Sequence, residues 1–293
     1  MGPDTQNLPR ATGDAPVQEL LLIAGRGEYP LLLAESARQA GVRRLVVVAF
    51  RHETDCAIAR LADEVVWVHL GQLGKLRDVV RRLGIRQAVM VGAITPTSLF
   101  SVRFDRTSLA ILSRLRELNA ATVFGAAVRE LEALGLEILP AYRFMESAMP
   151  APGPLSRRAP TAAEQADIRL GLQAAKVTSG LDIGQTVVVK QGAILAVEAF
   201  EGTDATLLRA GRLGGPGAVV VKVAKPGHDM RFDIPVVGGR TLQNLRRISA
   251  AVLAVEARRT ILLNPPALTA AADRMGLAML AVEAPPAAAQ EAE

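Results

Sequence analysis

Residues 19–30 read ELLLIAGRGEYP, and this stretch decides the first half of the fold. A continuous apolar run leads into a glycine turn at Gly25 and Gly27, and a segment of helical period follows. Strands that are apolar on both faces are typical of parallel sheets covered by helices on each side. The stretch therefore predicts the first strand, turn and helix of an α/β domain.

The same alternation continues to about residue 135. The predicted strands are Glu19–Ala24, Arg44–Phe50, 65–70 and Gln87–Val91, and the predicted helices are 31–40, Leu73–Leu83, 108–118 and 126–134. This order indicates a doubly wound parallel sheet.

Prolines crowd the stretch 140–160 and mark a domain boundary. We expect a first domain at 19–148, a second at 149–283, and flexible tails at 1–18 and 284–293. The second domain is predicted to contain a helix at 161–179, a hairpin at 186–200 that turns at Gln191 and Gly192, a strand at 218–223, a helix at 242–249, and two strands with a helix within 252–282. Because a hairpin adds antiparallel strands, the fold class is α/β with a parallel sheet first and a mixed sheet second.

Composition excludes several classes of protein. The 293 residues include one cysteine, Cys56, so no internal disulfide framework can form, and the chain is expected in a reducing compartment. No apolar run reaches the length of a membrane helix. The net charge of +5 favours anionic partners, but the basic residues are scattered, so nucleic acid is not indicated.

Two glycine loops are candidates for a nucleotide site. Gly25 and Gly27 follow the first strand, and Gly92 and Thr95 follow the fourth, at the edge of the sheet where open α/β folds bind ligands. The alternative is that the glycines only make tight turns.

Polar residues gather at the strand ends of the second half. Glu198, Glu201, Thr203 and Asp204 follow the hairpin, where Thr203 or Asp204 could instead cap a helix. Two of the chain's five lysines, Lys222 and Lys225, stand just ahead of a further charged segment.

If residues 229–234 are extended, Asp229, Arg231 and Asp233 share one face. Carboxylates that bind Mg²⁺ beside phosphate-neutralising lysines suit phosphoryl chemistry. The alternatives are an exposed edge strand with solvated charges, and for His228 either a general base or a polar loop residue.

The runs 181–189, 195–204 and 222–235, with the Ile-Ala-Gly-x-Gly element at 23–27, resemble the LpxI-type UDP-2,3-diacylglucosamine pyrophosphatase family. The resemblance covers nearly the whole chain between the tails. It implies a Rossmann-like UDP-binding domain followed by an acyl-sugar domain. It also implies hydrolysis of UDP-2,3-diacylglucosamine to UMP and 2,3-diacylglucosamine 1-phosphate (lipid X) in lipid A biosynthesis.

The resemblance implies an Mg²⁺ cofactor, with Mn²⁺ as the alternative, and an essential aspartate at Asp229 or Asp233, the two expected metal ligands. Lys222 and Lys225 would offset charge in catalysis. The expected nucleotide-binding residues are Gly25, Gly27, Tyr29, Gly92 and Thr95, and the expected substrate-binding residues are Gln185, Glu198, Glu201, Gly202, Thr203, Asp204 and Arg231.

The chain departs from the family pattern at Arg26, Tyr29, Thr95, His228 and 119–121. A divergent nucleotide-sugar-binding paralogue without this activity is therefore the alternative. An NAD-dependent oxidoreductase is disfavoured, because the second strand does not end in the acidic residue that binds ribose. A diacylated substrate implies a cytoplasmic protein peripherally associated with the inner membrane, whereas homo-oligomerisation is left open.

Overall fold

A computed structural model describes residues 16–94, 104–115, 120–227, 229–232 and 234–284. Residues 1–15 and 285–293, which make up most of the predicted tails 1–18 and 284–293, lie outside this part of the chain, as do Thr95, His228 and Asp233.

Within the described residues, the first domain is a five-stranded parallel sheet. The strands are β1 (Glu19–Ala24), β2 (Arg44–Phe50), β3 (Glu64–Val68), β4 (Gln87–Val91) and β5 (Glu137–Ile138), in the order β3-β2-β1-β4-β5. The order reverses between β1 and β4, which makes a topological switch point, the place where open α/β sheets bind ligands. The doubly wound prediction is confirmed.

The helices of this domain cover both faces of the sheet. They are α1 (Tyr29–Gln39), α2 (Leu73–Leu83), α3 (Arg106–Leu112) and α4 (Ala120–Glu132). Helix α1 packs with Leu20, Leu22 and Ala24 in one core cluster. Helices α2 and α4 pack with Leu21 and Ile23 in another. The alternation of β1 side chains between these two cores explains why the strand is apolar throughout.

The second domain is a mixed sheet, as predicted. Its strands are β6 (Gly153–Pro154), β7 (Thr186–Lys190), β8 (Ala193–Val197), β9 (Val219–Lys222), β11 (Val252–Glu256) and β13 (Ala278–Val282), in the order β6-β13-β11-β9-β7-β8. Strands β9, β11 and β13 are parallel, and β7 runs antiparallel to both β9 and β8.

Helices also cover both faces of the second sheet. Helix α5 (Ala162–Gly180) packs on one face, and α6 (Gly202–Gly214), α7 (Gly239–Arg247) and α8 (Pro265–Met275) pack on the other. Helix α5 begins with a capping box formed by Thr161 and Glu164. In the described part of the chain, no helix combines the length and apolarity needed to cross a membrane.

A short parallel pair, β10 (Val236–Val237) and β12 (Ile261–Leu262), joins the two domains. Ile234, Ile261 and Leu263 belong to the second half of the sequence, yet they are buried in the α1 core of the first domain. The first hydrophobic core is therefore completed by residues from the second domain.

Candidate functional site

A cavity of about 300 Å³ lies where the carboxyl ends of the two sheets face each other. Both domains contribute to its wall, as expected for a ligand that bridges them. The lining residues are Ile23, Gly25, Phe50, Met90, Val91, Gly92, Ala93, Ile94, Phe124, Ser179, Asp182, Gly184, Gln185, Lys225 and Phe232.

On the first-domain side, two chain segments cross in very close contact. The Gly25 amide donates to the Val91 carbonyl at 2.8 Å, and Arg26 and Ala93 exchange backbone hydrogen bonds at 2.7 and 3.0 Å. A Cβ at Gly25 would come within 2.7 Å of the Ala93 carbonyl oxygen, and Gly92 has a φ of +96°. Both glycines are thus required by the crossing itself, and both also line the cavity at the switch point.

Two of the other residues predicted to bind nucleotide, Gly27 and Tyr29, lie elsewhere. Gly27 belongs to the adjoining turn, beside a separate depression that also contains Arg26, Glu28 and Glu53. Tyr29 is buried, and its hydroxyl donates to the Ala141 carbonyl at 2.7 Å. Burial raises the pKa of Tyr29, with a smaller effect from Glu146. Because this hydroxyl is used within the core, the position does not support the predicted nucleotide contact.

On the second-domain side, the loop between α5 and β7 forms the wall. Asp182 lies in this loop, adopts a φ of +58°, and pairs with the Lys225 ammonium at 2.5 Å. Gln185 accepts a hydrogen bond from the Val223 amide at 2.9 Å, which ties this loop to the segment that carries Lys225. Lys225 and Gln185, both predicted, therefore share one wall of the cavity.

Residues 229–232 form a turn, so the extended conformation considered for 229–234 is not adopted. The Asp229 carboxylate accepts hydrogen bonds from the Arg231 amide at 3.0 Å and from the Arg231 guanidinium at 2.6 to 3.0 Å. Such side chain to backbone bonds compete with extended structure. Arg231 also pairs with Glu132 of the first domain, and its bonds to Asp229, ahead of those to Glu132, raise the pKa of its guanidinium.

A second polar group lies beside the cavity, at the carboxyl end of β9. The Lys222 ammonium donates to the Thr203 hydroxyl at 3.0 Å, and that hydroxyl donates to Glu198 at 2.8 Å. Within the described residues, Glu198 Oε2 and Thr186 Oγ1 are buried without a hydrogen-bond partner. Unpartnered buried polar atoms are costly, which marks this group as a place for a polar ligand or water.

Glu201 and Asp204 are engaged around the start of α6. Glu201 binds Arg209 at 2.7 Å, and Asp204 binds Asn244 at 2.7 Å and Arg240 at 2.6 Å. The Glu201 backbone amide, followed by Arg209, lowers the pKa of the Glu201 carboxyl. Gly202 supplies the φ of +80° at the first residue of the helix. The predicted capping by Thr203 or Asp204 is not observed, because Glu201 occupies the N-cap position.

The described residues do not assemble the expected metal site. Among them, no group of three or more Asp, Glu, His or Cys side chains could hold an ion. The Asp229 carboxylate is bonded to Arg231, and Asp233 lies outside the described residues. We therefore derive no step through a metal.

Sequence reasoning missed several residues of this region. Asp182, Ser179, Phe124 and Phe232 line the cavity, although none was among the predicted site residues. The available signal was the polar Asp182-Ile183-Gly184-Gln185 stretch at the end of α5, which resembles the other strand-edge loops in composition.

Both halves of the chain match family models. Residues 19–148 match the LpxI N-terminal domain, and residues 151–280 match the LpxI C-terminal domain. The UDP-2,3-diacylglucosamine pyrophosphatase LpxI of Caulobacter vibrioides is 31% identical over 278 residues, which cover 91% of this chain and 98% of that protein.

Solved structures offer only distant similarity. The biotin carboxylase domain of the Hydrogenobacter thermophilus 2-oxoglutarate carboxylase is 12% identical, with a TM-score of 0.27 over 66% of this chain and 40% of that chain. The Kluyveromyces lactis urea carboxylase is 22% identical, with a TM-score of 0.22 over 28% of this chain and 8% of that chain. With TM-scores this low, these similarities support no conclusion about the fold or function of this chain.

Proposed function

This chain belongs to the LpxI family, and on that premise we propose that it hydrolyses the pyrophosphate bond of UDP-2,3-diacylglucosamine in lipid A biosynthesis. The products would be UMP and 2,3-diacylglucosamine 1-phosphate. The observation that carries the proposal is the cavity between the two sheets, with the Lys225 ammonium in its wall. The relative from Caulobacter vibrioides bears the name of this activity.

The two walls suggest how the substrate would lie. The uridine half would bind at the switch point beside Gly25 and Gly92, where backbone groups approach a ligand closely. The sugar phosphate would extend toward Lys222, Thr203 and Glu198, whose buried polar atoms can bind hydroxyl or phosphate groups. The pyrophosphate would then lie between them, near Lys225.

The chemistry is a transfer of one phosphoryl group to water. The water oxygen bonds to one phosphorus, the bond from that phosphorus to the bridging oxygen breaks, and the bridging oxygen leaves with the other phosphate. The two protons of the water pass to the product phosphates or to solvent. Lys225 would offset negative charge that develops during this exchange. For Lys225 to contact phosphate, Asp182 must share or release its ammonium.

The metal requirement is a separate proposal. Mg²⁺, or Mn²⁺ in its place, would supply charge neutralisation at the phosphates, and Asp229 and Asp233 are the proposed ligands. Activity should then be lost in EDTA and restored by excess Mg²⁺. Equal activity with and without chelator would reject the metal requirement but leave the hydrolysis standing.

The direct assay uses purified protein with UDP-2,3-diacylglucosamine in detergent micelles, and UMP release is measured.

The variants Asp229→Asn and Asp233→Asn separate a structural role from a catalytic one. Because Asp229 holds the turn through Arg231, its variant should lose thermal stability as well as activity. If Asp233 is catalytic, Asp233→Asn should lower kcat without changing the thermal stability. Tight nucleotide-sugar binding without any turnover by the folded wild type would favour the binding-protein alternative.

The acyl chains of the substrate place the enzyme at a lipid surface. We expect cytoplasmic protein to associate peripherally with the inner membrane, aided by its net charge of +5. Co-sedimentation with anionic vesicles should be strong at low salt and weak at high salt. Equal sedimentation with neutral and anionic vesicles at both salt concentrations would count against this association.

A further inference from the structure

We propose that Lys176 and Glu256, which lie outside the cavity wall, position Lys225 for the reaction. This proposal rests on the proposed function, because it assigns the two residues a role in that catalysis. The two side chains come from different elements, helix α5 and the last position of β11. They meet behind the segment that leads from β9 into the cavity.

The contacts surround Ala224, and the half-exposed Arg259 lies at the edge of the group, 3.7 Å from Glu256 Oε1. The Lys176 ammonium donates to both Glu256 carboxylate oxygens, at 2.8 and 2.7 Å, and to the Ala224 carbonyl at 3.0 Å. Glu256 Oε2 accepts from the Ala224 amide at 2.8 Å. Both polar groups of one buried backbone residue are thus held by one ion pair.

Stability alone is a poor explanation for this pair. The Lys176 and Glu256 side chains are 11% and 7% exposed, so both charges have lost most of their hydration. A buried ion pair often contributes no more stability than apolar residues of the same size. What apolar residues could not do is bind the amide and the carbonyl of Ala224.

The position of Ala224 explains how the ion pair acts on Lys225. It directly precedes Lys225, and the preceding Val223 amide is bonded to Gln185 in the cavity wall. The backbone is therefore fixed at three points just before Lys225 enters the site. A shift of about 1 Å in a reacting group can lower a rate about 100-fold, so loosening this segment should be visible in kcat.

The test replaces both charges together, so that neither is left buried and unpaired. In Lys176→Met/Glu256→Leu, the Ala224 groups lose both partners while the volume is kept. The matched control is Arg158→Met/Glu164→Gln, which removes another α5-linked ion pair of 2.6 Å but keeps an oxygen acceptor for the Thr161 amide, so the capping box of α5 is retained. Arg158 also binds the carbonyl of Ala251, which lies just before β11. The control thus removes a similar clamp at the amino end of β11 rather than at its carboxyl end beside the cavity.

We expect kcat to fall at least about tenfold in the Lys176/Glu256 variant and less than about twofold in the control. KM should change little in both variants, since the pair does not contact substrate. Amide hydrogen exchange of residues 223–227 should accelerate only in the Lys176/Glu256 variant. The variant Lys176→Met/Glu256→Gln leaves no buried ammonium unpaired and retains an oxygen acceptor for the Ala224 amide, so it should recover part of kcat.

Equal losses of kcat and of melting temperature in both double variants would overturn the proposal, because the pair would then be merely structural. So would unchanged exchange at 223–227. If the wild type hydrolyses no substrate, the proposed function fails, and hydrogen exchange still decides whether the pair holds this segment.

Discussion

At the residue scale, Lys225 is the side chain whose removal tests the cavity most directly. Lys225→Met keeps the length of the side chain but removes its charge, so kcat/KM should fall about 100-fold if the ammonium offsets developing phosphate charge. Lys75→Met is the matched control, because Lys75 lies on α2 and donates to the Trp67 carbonyl away from the cavity. The kcat/KM of both variants is measured from the rate of UMP release. A Lys225→Met enzyme as active as the control would remove Lys225 from the mechanism.

The close contact between the segments that follow β1 and β4 makes a prediction at a single glycine. A methyl group at Gly25 would press on the backbone oxygen of Ala93, which cannot move without breaking the crossing. We expect Gly25→Ala to lower the free energy of unfolding by about 2 to 3 kcal/mol. Gly27→Ala meets no neighbour but has a φ of +101°, so about 1 kcal/mol is expected there. Urea denaturation measures both, and equal losses would contradict the crowding argument.

Single residues also show which parts of the site can be predicted from the sequence and which cannot. Gly25 and Gly92 line the cavity as predicted, because strand order brings carboxyl ends together, whereas Gln185 was predicted only from the family resemblance. The turn at Asp229 could not be predicted, since the alternation of charged and apolar residues from 229 to 234 is also the pattern of a strand. The hydrogen bonds of its carboxylate to Arg231 decide the conformation.

At the element scale, long apolar strands were the most predictable features. β1, β2 and β4 have the predicted bounds, and the hairpin turns at Gln191 and Gly192 as expected. Helix ends were less predictable, since α3 ends at Leu112 rather than 118 and α4 begins at Ala120 rather than 126. Short pairings such as β10 with β12 depend on contacts between distant segments, which periodicity does not encode.

Asp105 links two helices and predicts a pH effect. Its carboxylate caps α3 through the Ser108 amide at 2.8 Å and accepts from the Gly74 amide of α2 at 2.8 Å. Burial raises the pKa of Asp105, but the hydrogen bonds from Ser108 and Gly74 outweigh burial and hold the pKa below its usual value. The charged form is therefore favoured in the folded state.

Asp105→Asn should cost about 1 kcal/mol at neutral pH. Because the folded pKa is lowered, the stabilisation is present above the unfolded pKa of about 4 and is lost as pH falls through the folded value. Urea denaturation at pH 7 and pH 3 should show the difference from wild type shrinking in acid. Asp78→Asn, at an exposed position on α2, is the control. A difference that is constant with pH would refute the charge dependence.

At the scale of the whole molecule, the shared core predicts how the domains unfold. Ile234 is buried in the first-domain core together with Ile261 and Leu263. We expect one cooperative thermal transition for both domains, because the first core is incomplete without residues from the second half of the chain. Calorimetry that resolves two well-separated transitions would contradict this.

Two variants compare how much apolar packing and an ion pair contribute to the contact between the domains. Ile234→Ala should cost about 2 to 4 kcal/mol of unfolding free energy, because it opens a cavity in the shared core. Glu132→Gln removes the ion pair with Arg231, which is partly exposed, so its cost should stay below about 1 kcal/mol. Guanidinium denaturation measures the free energy of unfolding of both variants. A larger loss for Glu132→Gln would mean that charge, rather than apolar packing, joins the domains.

The shared core also has a consequence during synthesis. A ribosome releases residues 16–148 well before Ile234, Ile261 and Leu263, so the α1 face of the nascent first domain stays open to water while most of the second domain is translated. Exposed apolar surface of this kind is what chaperones bind and what leads to aggregation. The segment that completes the core closely follows the Asp229 turn, so the cavity wall at Phe232 would take shape only when translation is almost finished.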